Sequence, residues 1–331
     1  MDEINPRFLP WQADVLKQAL ALKHQQHLPH AVLIDTASEQ DFSAFASYLS
    51  MLLLCDKPDE LATCGNCQAC KMMRAGTYAD FSLVTLEPNE KTKKLNKNIN
   101  IEQIRKLIHE VSLTRQYERL KIAAIYPAEA MNKSSANALL KTLEEPAPQV
   151  LLMLLTHNRG RIPVTLRSRC QSWTIDPPAR NQALAWLREQ GVQDEMATSY
   201  LQFASGDPVL ALHLKQHGYA SLVSQFKSRF SQFLRSELSV TDLCRSLLSS
   251  ETAIVRRLIN MTLMAYCYQM SGVDANAEPR SGSDKRGAQA IMDLRLKAQQ
   301  QLQIEENNLD LQLQLEDVLI SLKQILTRRF I

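Results

Sequence analysis

Cys55, Cys64, Cys67 and Cys70 follow the spacing C-x8-C-x2-C-x2-C. Four soft thiolates at such short spacing can close a tetrahedral Zn2+ site. The two consecutive x2 steps of CGNCQAC let one short loop wrap an ion, while Cys55 supplies the fourth ligand from the end of a preceding helix. With four protein ligands no position stays open for substrate or water, so such a metal is structural. An iron–sulfur cluster also uses four thiolates, and a cluster of reduced thiols is the plainer alternative. Cys170, Cys244 and Cys267 stand alone, and the last two read as buried thiols.

A second set of residues is informative for what it lacks. A phosphate-binding β-α-β domain runs from its first strand into G-x-x-x-x-G-K-[ST], whose backbone N–H groups cradle phosphates and whose lysine offsets their charge. Here the first strand candidate is followed by Thr36-Ala37-Ser38-Glu39-Gln40-Asp41, without glycine or lysine. Glu39 and Asp41 place negative charge at the next helix start, where an anion would otherwise sit. An ATPase would also end the KIAAIY strand with a metal-holding Asp and a neighbouring Glu, but Tyr126 and Pro127 stand there. Neither can hold Mg2+ or activate water.

The elements around these residues follow from hydrophobic pattern. Ala31–Asp35, Phe81–Leu86, Lys121–Tyr126, Val150–Leu155 and Gln171–Ile175 are short, nearly continuous apolar runs, as in strands buried on both faces of a parallel sheet. Between them, Phe42, Phe45, Leu49, Leu52 and Leu53, then Ile101, Ile104, Leu107, Ile108 and Val111, then Ala136, Leu139, Leu140 and Leu143 keep helical spacing. The alternation predicts a parallel sheet flanked by helices. Asn132 can cap the last of these helices, and Pro146 ends it on Glu144 or Glu145. Pro177-Pro178 closes the region.

Beyond it, Asn181–Gly218 reads as short helices broken at Gly206-Asp207-Pro208, and the remainder reads as longer helices through Leu222, Phe226, Phe230, Phe233 and Leu234 and through Ile254, Leu258, Met261 and Ala265. Ser271–Ala288 has almost no apolar content and is expected to be an exposed loop. The segment Leu309–Phe330 starts with strand-like alternation (LDLQLQL) but continues with helical period, and is assigned as helix throughout.

Composition agrees. The 331 residues suggest two or three domains, and nine glycines among them, far below the usual ~7%, favour helices over glycine-dependent turns. The net charge of +3 is too small for a dedicated nucleic-acid coat. The opening MDEINPRFLPWQ lacks a basic n-region and an apolar h-region, and no apolar run approaches the ~18 residues of a membrane span. A cytoplasmic protein with no membrane partner is expected, and in that setting the cysteines are metal ligands or buried thiols rather than disulfides. The lysine-rich run Glu90–Asn98, with Lys91, Lys93, Lys94 and Lys97, could touch DNA phosphate but is read as a solvated polar loop. His24, His27, His30, His109, His157, His213 and His217 have no spacing that marks a triad or metal site.

NALLKTLEEP at Asn137–Pro146, the apolar strand after it and TLRSRC at Thr165–Cys170 together resemble the clamp-loader branch of the AAA+ proteins. With CGNCQAC added, the chain is similar in layout to the clamp-loader subunits of bacterial DNA polymerase III, most sharply over Cys55–Pro178. The resemblance implies an AAA+ domain over residues 1–177 with a parallel sheet and a structural zinc module, a small helical lid over 178–218, and an all-α collar domain over 219–331. It implies a subunit that binds no productive ATP. In Ser205-Gly206-Asp207-Pro208-Val209-Leu210, Val209 stands where an ATPase subunit of the family keeps an arginine.

Ser168-Arg169-Cys170 matches the family's SRC motif, so the resemblance assigns Arg169 as an arginine finger acting in trans on a neighbour's ATP, with Ser168 and Cys170 supporting the turn. Arginine content alone would make Arg169 a surface salt-bridge residue, and Arg167 is ambiguous. The implied partners are the loader's ATPase subunits (gamma/tau), its delta subunit, the sliding clamp and primed DNA. A working ATPase, a nuclease or a free-standing zinc-containing DNA-binding protein are the alternatives.

Overall fold

The structure is a computed structural model. It describes residues 8–36, 42–89, 95–117, 119–204, 206–216, 219–248, 255, 258–260, 262–263, 266–267, 285–303 and 311–327. The loop expected to lack phosphate-binding residues (37–41), Lys91, Lys93, Lys94, Ser205, His217, Gly218, Ile254, Met261, Ala265 and the 271–284 part of the expected loop lie outside these residues. The chain divides into two compact units, Met1–Ala185 and Trp186–Ile331.

The first unit is built on a five-stranded parallel sheet of order β2-β3-β4-β1-β5, from β1 (Ala31–Thr36), β2 (Phe81–Val84), β3 (Lys121–Ile125), β4 (Val150–Thr156) and β5 (Gln171–Ile175). All five strands fall on the apolar runs of the sequence. β3 and β4 are buried at every position because both faces are covered, as their continuous apolar runs require. β5 is an edge strand: Trp173 and Ile175 point inward and Gln171, Ser172 and Thr174 are exposed.

The helices of this unit are α1 (Ala13–His24), α2 (Phe42–Leu54), α3 (Gln68–Arg74), α4 (Ile101–Ser112), α5 (Lys133–Glu144) and the short α6 (Val164–Arg167), and α7 (Arg180–Glu189) runs across the division between units. α4 starts at a reciprocal cap, with the Gln103 N–H donating to Asn100 Oδ1 at 2.9 Å and the Asn100 N–H to Gln103 Oε1 at 3.0 Å. As the sequence predicts, Asn132 caps α5, accepting from the Ser135 N–H at 2.8 Å, and the helix ends at Glu144. Ile104, Leu107 and Val111 of α4 join Ala136, Leu139 and Leu143 of α5 and inward residues of β3 and β4 in one buried cluster.

Among the described residues of this unit, the ion pair of Lys121 and Asp80 is buried. Lys121 Nζ lies 3.6 Å from Asp80 Oδ1, with side-chain exposures of 8% and 2%. The pair is sustained by further hydrogen bonds: Asp80 accepts from the Gln116 and Tyr117 N–H groups, and Lys121 donates to the Glu110 and Leu113 carbonyls.

The described part of the second unit is helical: α8 (Asp194–Phe203), α9 (Pro208–Gln216), α10 (Tyr219–Leu234), α11 (Val240–Leu248), α12 (Lys285–Gln303) and α13 (Leu311–Thr327). Phe226, Phe230 and Phe233 of α10 are buried in a row, the first two stacked at 5.6 Å. Leu315, Val318, Leu319 and Leu322 form the buried stripe of α13, so helical period prevails over the alternation of LDLQLQL. One expectation is corrected: Lys285–Ala288, expected in the exposed loop, form the first turn of α12. That turn is too polar to show a periodic apolar signal, and Lys, Arg and Ala are good helix formers. No helix among the described residues is long and apolar enough to cross a membrane.

Candidate functional site

The four cysteines come together. α2 ends at Leu54, where the guanidinium of Arg119 donates to the Leu54 carbonyl at 2.7 Å, a cation at the negative end of a helix. Cys55 follows directly and is buried. The loop after it is pinned by the Tyr48 hydroxyl, which donates to the Leu61 carbonyl at 2.7 Å. Gly65 then turns the chain with φ +71°, and a Cβ there would lie 3.0 Å from the Arg74 guanidinium. Cys67 caps α3, and Cys70 sits buried on its first turn.

The result is four Sγ atoms all within 4.8 Å of one another. A tetrahedral Zn2+ with bonds of about 2.3 Å needs sulfurs about 3.8 Å apart, so the group fits a metal with little adjustment. Backbone N–H groups already point at the sulfurs: Cys64 at Cys55 Sγ (3.3 Å), Cys67 at Cys64 Sγ (3.4 Å) and Cys70 at Cys67 Sγ (3.4 Å). The N–H groups of Cys67 and Asn66 bring the Cys64 thiol down to about 6, whereas burial raises the Cys55 thiol and pushes Cys70 up to about 12. The donor set is consistent with zinc.

A group of side chains that the sequence pattern did not mark stands at the carboxyl ends of the strands, where parallel sheets of this kind bind ligands. Phe42 opens α2, Tyr126 follows β3 and His157 follows β4. The Phe42 ring is fully buried, stacks on the His157 imidazole at 5.1 Å and 11°, and meets the Tyr126 ring edge-on at 5.8 Å. Tyr126 Oη and His157 Nε2 are 3.0 Å apart, and the His157 backbone N–H donates to Glu129 Oε1 at 3.2 Å. The three rings come from three separate elements, so no local spacing could reveal them. Tyr126 was legible only as a missing acid.

Arg169 lies on the turn after α6. Leu166 is fully buried and anchors that helix, and the N–H groups of Ser168 and Arg169 donate to the carbonyls of Val164 and Leu166. Arg169 Nη1 donates to the Thr165 carbonyl at 2.8 Å, and Nη2 donates to Glu144 Oε1, on the last residue of α5, at 2.5 Å. The Ser168 hydroxyl donates to the same Thr165 carbonyl at 3.2 Å. Cys170 packs against the apolar cluster of the unit, and burial pushes its thiol up to about 12. Arg167 is half-buried, with no acceptor for its Nε among the described residues.

Of the lysine-rich run, Lys97 is described and exposed. In the second unit, Asp207 Oδ1 accepts from the N–H groups of Val209 and Leu210, at 2.9 and 3.2 Å, and so starts α9. The cysteine group and the arginine turn are built by different elements of the first unit.

Residues 11–179 match the family described as "DNA polymerase III, delta subunit". The chain is 32% identical to DNA polymerase III subunit delta' of Pseudomonas aeruginosa over 240 residues, 72% of this chain and 70% of that one. It is 30% identical to DNA polymerase III subunit delta' of Escherichia coli K12 over 211 residues, 63% of this chain and 61% of that one. Among solved structures it is similar to a DNA polymerase III gamma subunit-related protein from Thermotoga maritima, with 17% identity and a TM-score of 0.48 over 93% of this chain and 99% of that one. On the matched residues and these relatives, the chain belongs to the delta-prime family of DNA polymerase III subunits.

Proposed function

We propose that the protein is a non-catalytic member of an ATP-driven clamp loader, contributing Arg169 to the ATP site of a neighbouring ATPase subunit while hydrolysing no ATP itself. The observation that carries this reading is the turn after α6, anchored by the buried Leu166, on which the half-buried Arg169 guanidinium is held by the Thr165 carbonyl and the Glu144 carboxylate at the surface of the first unit. Phosphoryl transfer spreads charge over the γ-oxygens, and a planar guanidinium supplied in trans is worth ~10³–10⁵ in kcat in well-studied GTPases. The ring cluster of Phe42, Tyr126 and His157 supports the absence of productive ATP chemistry in cis, because packed rings stand where a nucleotide site needs cationic and metal-holding groups.

The partners in this reading are gamma/tau ATPase subunits and a delta subunit, with the sliding clamp and primed DNA reached through the complex in the cytoplasm. Residues 1–177 act as a degenerate AAA+ domain, 178–218 as a helical lid and 219–331 as a collar for assembly. Cys55, Cys64, Cys67 and Cys70 hold a structural Zn2+. When bound, the ion supplies a rigid cross-link between the end of α2 and α3 and no reactive position.

The test is Arg169→Ala in the reconstituted complex. Assembly is expected to remain intact while DNA- and clamp-stimulated ATP hydrolysis falls sharply; unchanged hydrolysis would refute the assignment.

A further inference from the structure

Arg169 is not free in this chain. Its Nη2 donates to Glu144 Oε1 at 2.5 Å, and its Nη1 donates to the Thr165 carbonyl at 2.8 Å. The two contacts differ in kind. Thr165 belongs to the same turn as Arg169, so that bond fixes the base of the guanidinium wherever its other edge points. Glu144 belongs to α5 and holds the other edge of the fork with a carboxylate, an anion that arginine binds through the same charge-assisted N–H donors it offers a phosphate.

Glu144 also stands where a carboxylate is electrostatically disfavoured. It is the last residue of α5 and is followed by a second acid, Glu145, so two negative charges sit at the negative end of the helix dipole. The Arg169 guanidinium offsets that arrangement. The pair is half open to water, with side-chain exposures of 34% for Arg169 and 50% for Glu144. A pair so exposed favours its closed state by no more than about fivefold. A γ-phosphate, with more negative charge and several acceptor oxygens, can therefore displace the carboxylate.

We propose that Glu144 is a latch on the finger: a positioning residue whose carboxylate holds the Arg169 guanidinium on its own chain until the triphosphate of a neighbouring subunit takes its place. This inference rests on the reading of Arg169 as an arginine finger. The competent fraction of Arg169 is reduced by the latch, and hydrolysis in the unstimulated complex is reduced by the same factor. Closing of the subunit interface brings the triphosphate within reach and abolishes the reduction. Glu144 thus sharpens the response to DNA and clamp rather than the chemistry itself.

The experiment has two arms. In the isolated full-length chain, side-chain 15N NMR of arginine should reveal, among the hindered guanidiniums, one signal that is absent in Arg169→Lys and rotates faster in Glu144→Gln, where the Thr165 bond alone remains. A freely rotating Arg169 in the unsubstituted chain overturns the latch whatever the finger does. In the reconstituted complex, Glu144→Gln should lower the ratio of stimulated to unstimulated ATP hydrolysis by about two- to fivefold. Glu144→Asp should restore it. The double variant with Arg169→Ala should behave as Arg169→Ala alone. If Arg169→Ala cuts hydrolysis while Glu144→Gln leaves the ratio unchanged, the latch fails and the finger stands; if Arg169→Ala leaves hydrolysis unchanged, both fail.

Discussion

The Tyr126 phenol and the His157 imidazole share a 3.0 Å hydrogen bond at the carboxyl ends of β3 and β4, beneath the stacked ring of Phe42. On the proposed reading, these rings take the place of the lysine and the acid that would hold Mg2+-ATP. Equilibrium dialysis of the isolated chain is expected to detect no tight Mg2+-ATP binding, and a micromolar dissociation constant would contradict that expectation. Because Phe42 is fully buried, Phe42→Ala should cost about 3–5 kcal/mol in denaturant unfolding rather than open a nucleotide site.

The thiols give the proposed zinc site an expected pH dependence. In the metal-free fold, burial keeps Cys55 and Cys70 protonated near neutral pH, the latter up to about 12, so zinc must displace both protons. Titration of zinc into chelated, reduced protein at pH 7.5 should release at least two protons per ion, counting these two residues alone. Affinity falls as pH falls. The fall steepens below about 6, where Cys64 also takes up a proton. Elemental analysis should give about one zinc per chain. A pH-independent affinity would contradict the four-thiolate site.

Asp80 is a buried acid that holds both Lys121 and two backbone N–H groups. Removing it by Asp80→Ala leaves the Lys121 ammonium buried without its partner and frees two backbone N–H groups, at an expected cost of about 3–5 kcal/mol. Chemical denaturation measures this directly. A loss below about 1 kcal/mol would mean that water reaches the pair.

The sheet and the cysteine group were legible for different reasons. β3 and β4 are buried on both faces, so their sequences are uninterrupted apolar runs, and the cysteine spacing of Cys55–Cys70 is local. The first turn of α12 was hidden because a polar helix start resembles a loop in composition. The Phe42–Tyr126–His157 cluster and the Arg169–Glu144 pair were hidden because each joins residues far apart in the chain. Sequence pattern reports which faces are apolar; it does not report which side chains of separate elements meet.

Asn132 provides a milder test of the arm that carries Glu144. Its Oδ1 accepts from the Ser135 N–H at 2.8 Å and from the Ser135 hydroxyl at 2.9 Å. Asn132→Ala should destabilise the protein by about 1 kcal/mol, read as a shift in the denaturation midpoint without a change in slope. Asn132→Asp, which keeps the acceptor, should lose far less. Equal losses for the two variants would remove the cap from the account.

On the proposed function, Arg169 works on a nucleotide held by another subunit. The most direct measurement is the distance from its guanidinium to the γ-phosphate in a structure of the assembled loader carrying a triphosphate analogue. The expected result is a contact at hydrogen-bond distance, about 2.7–2.9 Å, with the Glu144 carboxylate displaced. A guanidinium facing solvent, remote from every bound phosphate, would contradict it.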